Sequence, residues 1–150
     1  MKYNFVKSTL IFCVIGSFIP GFTAILLIGI QILFTKIGIE CSNAWKLIWS
    51  ITWVGMIGFP MLFTYYLKKI DKNDQTCRNK FIFFNLLEYI FIQASLAVFF
   101  TNGNILCYGS GGQNGLELAF TAWLGLPILI ILSFIFNSIW EQKEDCKSQF

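Results

Sequence analysis

Histidine is missing altogether from these 150 residues, and that absence removes more chemistry than any other feature of the chain. Without imidazole there is no His-ligated haem, no His-based metal site, and no Ser-His or Cys-His nucleophile pair. No two cysteines stand in a C-x-x-C spacing, whose proximity sets thiolate reactivity in redox enzymes. Paired aspartates inside an apolar run are absent as well, because Asp71, Asp74 and Asp145 all fall in polar segments. Together these gaps lead to the expectation of a protein that is not an enzyme and uses no metal and no cofactor.

Charge is scarce too. Asp, Glu, Lys and Arg make up 13% of the chain, about half the ~25% of an ordinary soluble domain. The longest basic cluster, KKIDKNDQTCRNK at 68–80, is interrupted by acids. It is too small a field for nucleic acid and suits anionic lipid headgroups. The one glycine-rich stretch, NILCYGSGGQNG at 104–115, lacks the G-K-[ST] ending of a phosphate loop. It reads as a flexible connection.

What the chain has in quantity is apolar surface, with 56% hydrophobic and 18% aromatic residues. These gather into four continuous runs at about 8–35, 47–67, 81–101 and 116–140. A run of eighteen or more uncharged apolar residues matches a ~30 Å hydrocarbon core. Membrane strands would alternate in period two over about 10 residues, so helices are expected. The first run is also too long for the roughly 7 to 15 residues of a signal-peptide core. The expected fold is all-α: one domain, residues 1–150, of four transmembrane helices arranged as two hairpins, with the lipid bilayer as solvent.

Basic residues stay on the cytoplasmic side of short loops. Lys2, Lys7, Lys68, Lys69, Lys72, Arg78, Lys80, Lys143 and Lys147 fall on one side of that threading, and only Lys36 and Lys46 on the other. Both termini and the middle loop are therefore expected to be cytoplasmic. Cys41 and Cys107 become the only two of five cysteines to face an oxidising exterior, where disulfides persist. They are expected to pair.

Pro20, Pro60 and Pro127 all lie inside the runs, each with a glycine nearby, and are expected to kink their helices. Trp45, Trp49 and Trp53 recur every four residues, and Trp140 ends the last run. Tryptophan favours the headgroup zone, so these four are expected to be interface anchors. The motifs TWVG at 52–55 and AWLG at 122–125 form a weak internal echo.

Glu88 is the only carboxylate well inside a run, and an ionisable group at such depth is a functional candidate. Asn85 at i−3 and Ser95 at i+7 share its helical face, which is expected to look into the bundle, while Gln93 points elsewhere. Two functions follow as expectations. The first is a non-enzymatic protein of a bacterial inner membrane acting by contact, either immunity- or exclusion-type protection or an accessory subunit. Its four-span outline resembles that of the immunity proteins of pore-forming bacteriocins. The second is a small oligomeric transporter or channel with a relay at Glu88. A protein partner in or at the membrane is expected in the first reading, and further copies of the chain in the second.

Overall fold

The structure, a computed structural model, describes residues 4–69, 74–108 and 116–148. The order is α1 (Phe5–Ser17), α2 (Gly21–Lys36), α3 (Cys41–Lys69), α4 (Asp74–Ala97), α5 (Gly103–Tyr108) and α6 (Leu116–Ser148). Among the described residues there is no strand. Three helices are long and apolar enough to cross a membrane: α3, α4 over Cys77–Ala97, and α6 over Leu118–Glu141. A fourth crossing exists if α1 and α2, which meet at a 77° bend, are one broken span.

The bend falls at Pro20, where a kink was expected, but it is sharp enough to divide the expected run over 8–35 into two helices. Pro20 has no N–H, its ring would strike the carbonyl of Gly16 in a continuous helix, and it biases Ile19 away from helical geometry. The helix therefore stops at Ser17 and restarts at Gly21. Backbone groups freed at the break find partners. Phe18 N–H donates to the Ile15 carbonyl (3.1 Å), Ile19 N–H to that of Gly16 (3.2 Å), and Phe22 N–H to that of Ile19 (3.3 Å). The Ser17 carbonyl accepts from the indole Nε1 of Trp123 on α6 (3.3 Å). Such repair is what permits irregular backbone at membrane depth. Pro60 and Pro127, by contrast, sit inside unbroken helices.

Three apolar clusters stack along the bundle. At one end Phe5 packs with Phe63, Leu67, Phe81, Phe136 and Trp140. The middle holds Cys13, Tyr89, Ile92, Ala122 and Leu129. The far end joins Ala24 and Leu27 to Trp45, Ile48, Ala94 and Leu118. Thus α1 starts at the Phe5 end and α2 finishes at the opposite one, where Gln31 Nε2 reaches Cys41 Sγ (3.1 Å). Gly38, at φ 96°, turns the chain from α2 toward α3, with Ile39 N–H donating to the Phe34 carbonyl (3.1 Å). That 6→1 bond is the Schellman ending of a helix.

Cys41 and Cys107 are paired at disulfide distance, with Cα atoms 6.1 Å apart. The segment around Cys107 is not the plain flexible connection expected. Residues 103–108 form α5, started by Asn102 Oδ1 accepting from Ile105 N–H (3.0 Å), while 109–115 lie outside the described residues. Gly103 lets α5 press on α3, since a Cβ there would sit 3.0 Å from the Ser42 carbonyl. The middle loop residues 70–73 also lie outside the described set.

Two of the expected interface anchors are core residues instead. Trp45 is 2% exposed and Trp140 6%. The period-four tryptophan stripe is a single face of α3, and at Trp45 that face turns inward onto α2. Trp140 meets Phe5 edge-on, with ring centroids 5.7 Å apart. Trp49 is half-buried beside Trp45, and Trp53 alone of the stripe opens to the surface.

Candidate functional site

Helix α4 is the centre of the bundle. Of its membrane-crossing window 61% is buried, against 17% for α3 and 33% for α6. It is also the least apolar of the three, and the two facts have one cause. Hydrocarbon offers polar side chains no hydrogen bonds, so the helix that carries Asn85, Glu88, Gln93 and Ser95 is placed where other helices surround it.

Small residues on both neighbours allow that enclosure. Gly55 of α3 lies under the Phe91 ring, where a Cβ would meet Cδ2 at 2.8 Å. At Gly125 of α6 a Cβ would sit 3.4 Å from Ile92 Cγ2 and 3.7 Å from Tyr89 Cδ2. The glycines of TWVG and AWLG therefore perform one task from two sides, admitting a large side chain of α4. Association in lipid depends on this close packing, because hydrocarbon gives no hydrophobic drive between helices.

Asn85, Glu88 and Ser95 are each buried, at 1%, 1% and 0% exposure. Asn85 Nδ2 donates to Thr9 Oγ1 of α1 at 3.2 Å, a polar side-chain bridge between these two helices. One turn on, Glu88 sits between two well-packed layers. Its i−4 neighbour Phe84 stacks on Phe59 and Phe63 of α3 and meets Phe136 of α6 edge-on. Its i+4 neighbour Ile92 is the one packed on Gly125. Glu88 Oε2 and Ser95 Oγ have no hydrogen-bond partner.

Gln93 was expected to point away from the interior, yet it is fully buried. Its Nε2 donates to the Leu118 carbonyl at the start of α6, and its Oε1 is left without a partner. The error lies in treating α4 as having one inward face, when a central helix has several. Thr9, fully buried opposite Asn85, was not singled out at all. A lone threonine in an apolar run carries no signal of its own, and its role appears only through its partner.

Chemically, the site is spare. Among the described residues no group of three or more His, Cys, Asp or Glu could hold a metal, and the buried polar residues are Glu88 with amides and hydroxyls but no Lys or Arg. A carboxyl so placed can take one more hydrogen bond or exchange a proton. Cys13, buried in α1, directs its thiol to the Leu126 carbonyl at 3.8 Å. Cys77, read from sequence as part of the middle loop, is 2% exposed in the first turns of α4.

A separate concavity lies between the α1–α2 bend and α4. It encloses about 240 Å³ and is lined almost wholly by carbon, from Ile15 and Gly16 of α1, Ile19 and Phe22 across the bend, and Leu86 and Tyr89 of α4. Compared with known proteins, the chain matches no family model, no curated sequence and no solved structure.

Proposed function

We propose that this chain is a small non-enzymatic protein of the bacterial inner membrane that acts by contact. Its role would be immunity- or exclusion-type protection, or that of an accessory subunit in a membrane assembly. The observation that carries this reading is how the bundle is locked. At the Phe5 end, Phe5, Phe63, Phe81, Phe84, Phe136 and Trp140 interleave ring on ring. At the other end the Cys41–Cys107 pair fixes α5 on α3, and Gln31 fastens α2 to the same cysteine. An interlocked body of this kind offers other molecules its surface rather than a path. The charge bias along the sequence supports four crossings with both termini in the cytoplasm, α1 and α2 together forming the first. The partner would be a protein in or at the membrane.

A second reading rests on Glu88. Its buried carboxyl has an unpartnered oxygen on the central helix, which suits a proton or cation relay in a small, oligomeric transporter. Reconstitution into proteoliposomes with a pH or cation gradient separates the two. The contact reading expects flux equal to that of empty vesicles, both in the wild type and in Glu88→Gln. Flux well above empty vesicles that Glu88→Gln abolishes would overturn it in favour of the relay.

A further inference from the structure

Helix α2 lies across the bundle, whereas α1 lies along it. In order from Phe5, α1 meets Asn85 with Thr9, Tyr89 with Phe12 and Leu126 with Gly16. At 77° to that line, the 16 residues of α2, about 24 Å long, advance only about 5 Å in the α1 direction. It rests on α3, α4 and α6 together. Ile90, Gln93, Ala94 and Ala97 stand at i, i+3, i+4 and i+7, one face of α4. Ala24 and Leu27 pack on three of these, with Trp45 and Ile48 of α3 and Leu118 of α6 in the same cluster. The helix is broken off at both ends, by residues 18–20 before it and by Gly38, at φ 96°, after it.

The contacts at its two ends are unequal. Trp123 of α6 holds the Ser17 carbonyl, ahead of the break, so that clamp stops short of α2. At the far end the Gln31 amide ties α2 to Cys41 Sγ (3.1 Å), and sulfur is a weak acceptor. Apolar contacts between α2 and the bundle give no drive that lipid would not also supply. Beneath α2, polar groups are buried without partners: Thr23 Oγ1 on its own underside, one turn before Leu27, Gln93 Oε1 on the face of α4 below, and Nε1 of Trp49 beside Trp45. Closing over them forfeits their hydration. Exposed Lys36, Glu40 and Lys46 edge this end of the bundle. Charges stand at the water boundary, so water is what a lifted α2 lets in. We propose that α2 is a strap, hinged at the 18–20 break and at Gly38, that rolls off the Ile90–Ala97 face of α4 and admits water to Gln93. It depends on neither functional reading; a relay would use it as the gate toward Glu88, about 7–8 Å further along α4.

The test puts a thiol on the underside of α2, where Thr23→Cys is close to isosteric at a fully buried position. The full chain is held in lipid nanodiscs, which leave both ends open to solvent. It is treated with a small cationic methanethiosulfonate, and the adducts are timed by mass spectrometry. Native Cys13, buried on α1 in the middle cluster, is the internal reference. The thiol of Thr23→Cys is expected to react several-fold faster than that of Cys13. Adding Gln31→Leu, which cuts the tie to Cys41, is expected to speed it several-fold further. Adding Gln93→Met, which removes the buried amide oxygen, is expected to slow it several-fold, with Cys13 unchanged in both. Cys41–Cys107 pairing on a non-reducing gel confirms that each variant folds. A rate at Thr23→Cys no higher than at Cys13 would overturn the proposal. So would a rate indifferent to Gln31→Leu or to Gln93→Met, or one that rises at both thiols together, the mark of general loosening rather than of a strap.

Discussion

Replacing Gly55 with alanine tests the packing logic of the bundle most directly, because the structure supplies its own control three residues away. A Cβ on Gly55 would lie 2.8 Å from Phe91 Cδ2 and Cε2 and 3.0 Å from Cγ, whereas one on Gly58 would meet nothing within 4 Å. Both glycines belong to α3, and each gains about 0.8–1.0 kcal/mol of helix propensity on becoming alanine. The difference between Gly55→Ala and Gly58→Ala therefore cancels that gain and isolates overpacking, worth about 1–3 kcal/mol in a well-packed interior. The Phe91 ring cannot simply swing away, since it also meets Phe59 edge-on with centroids 6.0 Å apart. Gly125→Ala, with its nearest atom at 3.4 Å, should fall between the two. Reversible unfolding in mixed micelles, followed by helical circular dichroism, gives the ranking. A Phe91→Leu background should remove the Gly55→Ala penalty, with a coupling of about 1 kcal/mol or more in the double-mutant cycle. Equal stability of the Gly55 and Gly58 variants, or no coupling to Phe91, would refute the claim that α3 and α4 approach through this glycine.

Other consequences can be checked with the same unfolding assay. Cys41→Ser should destabilise by about 2–4 kcal/mol, the usual contribution of a disulfide closing a long loop, and should abolish the gel shift on reduction. Gly38→Ala places a Cβ at φ 96°, a left-handed position costing an L-residue roughly 1–2 kcal/mol, with no clash to add to it. Trp45→Ala should cost about 3–5 kcal/mol as a core truncation. Trp53→Ala, at a site 37% exposed, should cost clearly less; equal losses would restore both residues to the role of surface anchors.

The parts of this fold that the sequence made legible are those where lipid leaves no alternative. Long apolar runs became α3, α4 and α6 because nothing else satisfies their backbone in hydrocarbon. Cys41 and Cys107 were singled out by compartment, an argument independent of side-chain contacts. Asn85 and Glu88 were legible because a polar side chain in an apolar run has only the interior to occupy. What stayed hidden depends on neighbours. Pro20, Pro60 and Pro127 look alike in sequence, yet only at Pro20 does the helix break, α1 packing mainly on α6 and α2 on both α3 and α6. Trp45 and Trp140 have the residue type of anchors, and only the facing helices make them core. Gln93 was misjudged because one helical wheel cannot tell a flanking helix from a central one.

The concentration of polar groups on α4 bears on both functional readings. Glu88 Oε2, Tyr89 OH, Gln93 Oε1 and Ser95 Oγ are all buried without partners on this one helix, and each such group costs about 1–3 kcal/mol. Stability alone would favour apolar residues there, so these positions point to a use that outweighs the loss. In a contact protein the use is specificity of assembly: polar groups that fit only one arrangement of α1, α3 and α6 around α4 discriminate against slipped packings. In a relay the use is the proton itself. The two make opposite demands on shape. Specific assembly tolerates Glu88→Gln, which keeps the size and polarity of the side chain, whereas Glu88→Leu relieves the cost of burial but loses the discrimination against slipped packings. A relay fails with both. A variant pair at one position, read by unfolding and by flux together, therefore separates a structural carboxyl from a working one.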